Sequence, residues 1–296
     1  MWICVTLLAM VWMLLVLLYG LFKGGRDVVK KKCLEKNGVV EVLFFYTLVG
    51  FIMVMVIPGT YSDAVSIDLS FLPIIFVKSL LIFLAWILSF MAIQTMPVSL
   101  YGIIDMSRVI FATLMGVIIL RENLSYGQII GLPLVLMGLF LLRVLSNKNS
   151  APEKVSTKTV VFALISCLLN AISGFMDKVL MKDVTSTQLQ AWYMFFLLIL
   201  YTGFLLVKRT KFNFKSLLKN YWIYILAVMF VVADKALFVA NSYPQSKLTV
   251  MTLIKQSACF VTIALGKIVF KEKNIGRKCI CAAVILAGIL LAALWP

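Results

Sequence analysis

Seven charged side chains stand inside long apolar runs of this sequence: Lys78, Asp105, Arg108, Asp234, Lys235, Lys255 and Lys267. In a hydrocarbon medium a charge near the middle costs at least about 2.5–3.5 kcal/mol, so each must face a cavity or a partner. Tyr101, Asp105 and Arg108 are spaced i, i+4 and i+7, which puts them on one face of a helix. Asp105 and Arg108, three apart, can also satisfy each other. A guanidinium held in such a place suits a carboxylate or phosphate, and Asp105 or Asp234 can bind a coupling proton. At about 1.5 Å per residue, Arg108 and Asn170 fall near the middle of their runs, and Asp234 and Lys255 lie roughly 4–5 Å from it on one side. Equal depth allows an Asp234–Lys255 ion pair, with Lys78 at a similar level. Lys235, about 100° around its helix from Asp234, points elsewhere, and Lys267 snorkels outward. The candidate substrate-binding residues are therefore Tyr101, Asp105, Arg108, Asn170, Asp234, Lys255 and Lys78. Trp86 and Phe238 are candidate aromatic walls. Two readings stay open: the cluster lines a substrate cavity, or it forms packed ion pairs between helices.

The elements that position these residues must be membrane spans. Of 296 residues, 63% are apolar and 14% charged, and mean hydropathy is +1.06. Soluble domains run near ~45–50% apolar and about 25% charged. A water-facing core of this size cannot bury the excess, so the solvent is largely lipid. Zero histidines exclude a Ser-His-Asp or Cys-His site, a haem histidine and any histidine-containing zinc site. The six cysteines, Cys4, Cys33, Cys167, Cys259, Cys279 and Cys281, fall mostly in apolar runs and read as small buried hydrophobes. No metal or cofactor is expected. The run from Trp2 to Phe22 has no basic region before it and lysines rather than a cleavage site after it, so it reads as a span, not a signal peptide.

Hydropathy windows place ten spans at 2–25, 39–57, 71–93, 97–119, 125–145, 159–181, 190–207, 221–241, 247–269 and 275–295. Residues 146–158 form a polar linker near the middle of the chain. A shift of 150 positions registers all five spans of the first half on those of the second. It also aligns Gly24 with Gly174, Asp27 with Asp177, Ser107 with Ser257, Gly116 with Gly266, Glu122 with Glu272 and Gly138 with Gly288. Five is odd, so the second copy enters the membrane inverted. The expected fold is all-α and integral to the membrane: ten transmembrane helices as two inverted five-helix repeats, residues 1–145 and 159–296. Inverted repeats are a recurrent plan of secondary transporters, whose substrate site lies near the midplane.

The run Pro97-Val98-Ser99-Leu100-Tyr101 through Gly116, then Leu120-Arg121-Glu122-Asn123-Leu124, Gly131 and Gly138, has a second copy in Gly266, Phe270-Lys271-Glu272-Lys273 and Gly288. This pattern resembles the EamA-type members of the drug/metabolite transporter superfamily. The resemblance implies a ten-helix transporter in which four helices of each half surround a central cavity, with the fifth and tenth outside. It names a process rather than a cargo, since relatives move amino acids, other metabolites, drugs, nucleotide sugars and sugar phosphates. Where members usually carry Trp-Gly in the first helix, this chain has Tyr19-Gly20.

Loops 1, 5, 7 and 9 carry nineteen Lys and Arg against four on the opposite side, so the positive-inside rule places both termini outside; relatives are expected to have them inside. The net charge of +16 is then a topology signal, not a nucleic-acid footprint. Asp27 and Asp177 are expected near opposite membrane surfaces. The expected protein is a multi-pass transporter of the cell membrane, moving a small polar metabolite with a coupling proton or exchanged solute, as a monomer or homodimer. A flippase or accessory subunit for a lipid-linked substrate is the alternative, since a lipid phosphate would also fit Arg108 and Lys255.

Overall fold

The computed structural model describes residues 2–119, 121, 123–146, 155–208, 214–272 and 275–295, and all regular structure among them is helical. The first half runs α1 (Trp2–Leu34), α2 (Val39–Val56), α3 (Thr60–Val65), a 3-10 turn (Leu69–Phe71), α4 (Leu72–Thr95), α5 (Val98–Asp105), α6 (Arg108–Ile118) and α7 (Tyr126–Ser146). The second runs α8 (Thr157–Leu180), α9 (Ser186–Lys208), α10 (Phe214–Lys219), α11 (Tyr221–Ser242), α12 (Leu248–Lys255), α13 (Ala258–Phe270) and α14 (Ile275–Leu294). Most of the polar linker lies outside the described residues, as do Glu122 and Lys273. Among the described residues, six stretches are long and apolar enough to cross a membrane: Val39–Val56, Leu69–Thr95, Val98–Ile118, Thr157–Leu180, Ser186–Lys208 and Tyr221–Ser242. This is a multi-pass membrane protein.

Burial is arranged for lipid rather than water. Val56 and Ile118 are 75% and 71% exposed, while Lys78 and Asp105 are 1% and 2% exposed. Apolar side chains face outward because hydrocarbon solvates them, and charges turn inward because it does not.

The helix ends follow local chemistry. Ser125 with Gln128, and Thr185 with Gln188, form reciprocal caps at the starts of α7 and α9: each hydroxyl accepts from the glutamine N–H and each amide oxygen accepts from the cap residue's N–H. Asn220 caps α11 by accepting from Trp222 N–H at 3.2 Å. Asp68 accepts from Ser70 N–H at 2.9 Å, and that bond holds its carboxyl below the usual carboxylate range.

Two expectations are corrected here. Helix α1 does not end near residue 25 but runs on to Leu34. Lys23, Arg26 and Lys30, counted above as loop bases, lie within it because buried carboxylates meet them. The fourth and ninth spans are also not continuous. Each breaks after eight residues, at Met106-Ser107 and at Gln256-Ser257, positions 150 apart. Ser107 N–H bonds Ile104 O, and Ser257 N–H bonds Ile254 O, both over three residues, so each break is a tightened turn. The α-left residues Arg121 (φ 53°) and Lys271 (φ 51°) are likewise 150 apart.

Packing follows the same correspondence. Helix α1 lies on α11, and α8 lies on α4; α2 packs on α9, and α7 on α14. Helix α1 also crosses the α12–α13 break, where a Cβ on Gly24 would stand 2.5 Å from the Ala258 carbonyl oxygen and 2.6 Å from Val261 Cβ. A Cβ on Gly174, the corresponding residue, meets nothing within 4 Å. Gly24→Ala is therefore expected to lower the melting temperature of the purified protein, overpacking of this kind costing about 1–3 kcal/mol. Gly174→Ala is expected to remain within about 1 kcal/mol of the parent or to gain helix propensity. Equal melting temperatures for the two variants would contradict the close crossing.

Candidate substrate cavity

A buried cavity of about 80 Å³ lies among α1, α2, α4, α5, α6, α8, α11 and α12. At roughly 10–15 Å³ per water-sized centre, it has room for a handful of waters or one small polar solute. Helix α1 contributes Tyr19, Lys23, Arg26, Asp27 and Lys30. Their spacing, i, i+4, i+7, i+8 and i+11, makes one polar stripe along the helix. Lys78, Trp86 and Ser89 come from α4, and Asn170, Ser173 and Asp177 from α8. Asp234 and Phe238 come from α11, and Thr252, Lys255 and Gln256 from α12 and its break. Helices α7 and α14 contribute no lining residue.

The charges are organised as pairs. Arg26 Nη1 donates to Asp234 Oδ1 at 3.1 Å, and Tyr193 Oη donates to Asp234 Oδ2 at 2.5 Å. Lys30 donates to Asp27 at 2.8 Å, and Lys78 lies 3.0 Å from Asp177. Asp105 is shared: Lys23 donates to one oxygen, and Arg108 Nε lies 2.7 Å from the other. Lys78 Nζ sits 4.5 Å above the Tyr193 ring, and Lys255 Nζ sits 5.5 Å from the Tyr19 ring centre.

Of the residues expected from sequence, Tyr101, Arg108, Asn170, Asp234, Lys255 and Lys78 all line this cavity. Asp105 stands behind the wall and meets the cavity through Lys23 and Arg108. The Asp234–Lys255 pair does not form, because Asp234 is occupied by Arg26 and Tyr193. Asp27 and Asp177 do not sit at opposite surfaces, since both open onto the one cavity. Trp86 and Phe238 line it, whereas Lys235 points away to donate to Thr187 Oγ1 at 2.6 Å, and Lys267 is exposed. The α1 stripe was missed because its charges were assigned to a loop; its helical periodicity is the signal that was available. Nothing local in the sequence marks Tyr193.

Helix ends near the cavity are tied down. Lys31 donates to the Met96 carbonyl at 2.7 Å, in the turn between α4 and α5. Lys178 donates to the Asn241 and Tyr243 carbonyls and to Ser246 Oγ, in the turn between α11 and α12. Glu272 accepts from Val98 N–H at 2.8 Å and from Ser99 Oγ, placing a carboxylate at the positive start of α5.

Residues 10–144 match the EamA-like transporter family. That stretch reaches from α1 into α7. A crystal structure with 14% sequence identity shares the fold of this chain, with a TM-score of 0.66 over 94% of this chain and 96% of that one. No curated protein matches the sequence. The matched family is one of transporters.

Breaking a buried pair from one side leaves an uncompensated charge, at about 3–5 kcal/mol. Asp234→Asn is therefore expected to destabilise the protein by that order, whereas Lys235→Ala, outside the cavity, stays within about 1 kcal/mol. Arg26→Met combined with Asp234→Leu is expected to be less damaging than the sum of the single changes. Additive losses in thermal melts would remove the pair.

Proposed function

We propose that the chain is a secondary active transporter of the cell membrane, moving a small polar metabolite by alternating access. The cargo class is an amino-acid-like, zwitterionic or anionic solute. The observation that carries this reading is a small charged cavity walled by both halves of the chain and flanked by two helix breaks. Discontinuous helices at a midplane site are a recurring feature of secondary transporters. In this reading ten spans form two five-helix repeats, residues 1–145 and 159–296, joined by 146–158 and inserted in opposite orientations. The 150-residue offset of the breaks, of Arg121 and Lys271, and of the α1–α11 and α8–α4 packings supports it.

Tyr101, Arg108, Asn170, Lys78, Asp234 and Lys255 contact the solute, and Asp105 positions Arg108. Coupling is by a proton on a cavity carboxylate or by exchange of a second solute. The Lys31 tie to the α4–α5 turn and the Lys178 tie to the α11–α12 turn open in alternation.

Purified protein in proteoliposomes is expected to exchange at least one of labelled glycine, glutamate, succinate or phosphate. Arg108→Ala is expected to abolish that exchange with the fold retained, because Asp105 keeps Lys23 as its partner. Unchanged exchange, or exchange lost together with the melting transition, would remove Arg108 from the site. Even with Lys23, Arg26 and Lys30 withdrawn from the positive-inside count, the bias still places both termini outside. A fluorescent reporter that matures only in the cytoplasm is expected to stay dark when fused after Pro296; bright fusions would reverse the orientation.

A further inference from the structure

The charges around the cavity do not balance, and the imbalance is localised. Six bases line it, Lys23, Arg26, Lys30, Lys78, Arg108 and Lys255, against three carboxylates, Asp27, Asp177 and Asp234. Asp105 behind the wall makes a fourth. Asp27, Asp177 and Asp234 each hold one base. Asp105 must serve both Lys23 and Arg108. Lys255 has no carboxylate within ion-pair distance among the described residues, only the face of Tyr19. Two positive charges are therefore left over, one in the Lys23–Arg108 pair and one on Lys255. Both open onto the same small cavity, which Lys23, Arg108 and Lys255 all line.

We infer that the cavity takes a small organic dianion, recognised by Arg108 and Lys255, whose two negative charges complete the balance. This deepens the transporter reading and rests on it for the direction of use, but not for the binding itself. A cation would add a third surplus charge. The ammonium group of a zwitterion would have to displace a base from one of four engaged carboxylates. A monoanion would leave one buried charge uncompensated, which a low-dielectric site penalises heavily. Arg108 turns only Nε to Asp105, and its terminal nitrogens make no hydrogen bond among the described residues, so its fork is available to two oxygens of one anionic group. Lys255 supplies a compact charge with three donors to the second negative charge. The shared chemistry fits a phosphate monoester or a dicarboxylate of a few carbons.

The test is ligand-induced stabilisation and calorimetric binding on the purified full chain at pH 7.5, using probe pairs of matched shape and different charge. Methyl phosphate, whose second ionisation lies near pH 6, is compared with methyl sulfate, and succinate with monomethyl succinate. At least one dianion is expected to bind about tenfold or more tightly than its monoanionic twin, and which pair shows it separates a phosphate cargo from a dicarboxylate. Arg108→Gln and Lys255→Gln are each expected to collapse that preference. Without ligand, Lys255→Gln is expected to match or exceed the parent in melting temperature, because it removes an unbalanced charge; a clear loss would mean that Lys255 is structurally paired. Equal binding of twins, stabilisation by glycine but not by either dianion, or no stabilisation by either dianion would each overturn the inference. Dianion binding that depends on both residues without exchange in proteoliposomes would leave the site standing and remove the transport reading. Exchange of a zwitterion alone would do the reverse.

Discussion

A charge dissolved in lipid must find a counter-charge, and the arrangement of this protein follows from where those partners are. Helix α1 carries five polar side chains in one stripe through the core. Its lysine and arginine residues reach Asp105 on α5 and Asp234 on α11, and the Lys78–Asp177 pair joins α4 to α8. These are also the helices that pack closely, α1 on α11 and α4 on α8. Apolar side chains in lipid gain little from meeting each other, so ion pairs and close packing must select the helix neighbours. The buried charges thus organise the bundle and furnish the cavity at once.

Close packing provides the second constraint. Gly24 lets α1 approach the α12–α13 break to within backbone contact, and on the far side Gly288 does the same for α14 against the Gly131 carbonyl of α7. The breaks need support at their outer ends because each interrupts a span. For α5 that support is Glu272, which reaches across from the turn after α13 to the first N–H groups of the half-helix and is itself held by Lys278 at 3.2 Å. A half-helix anchored at its start by a carboxylate presents its other end, with Asp105, to the cavity wall. Asp105 sits where the helix dipole is unfavourable to an acid, and the two bases on it offset that.

The resulting cavity is polar through side chains rather than backbone, and its walls come from both halves unequally. At the breaks, Asp105 in the first half occupies the position of Lys255 in the second. The same backbone plan therefore carries an acid on one side and a base on the other. Such a difference removes chemical symmetry from a cavity whose flanking helix breaks correspond.

The sequence alone determined the class of this protein. Its apolar content requires lipid, its polar linker divides it, and the 150-residue register relates Gly24 to Gly174, Ser107 to Ser257 and Asp27 to Asp177 without reference to coordinates. Six of the seven candidate residues line the cavity, because a charged or polar group inside an apolar run has few places to go. Only the tertiary structure decided the pairings. Depth along a helix allowed Asp234 to meet Lys255, but rotation and neighbour choice gave it to Arg26, 208 positions away. Hydropathy windows ended the first span at its charges, although a helix continues through charges whenever partners elsewhere neutralise them. The partners of Lys23 and Arg26 belong to α5 and α11, so the helical periodicity of this stretch could mark a polar stripe but not the helices it meets.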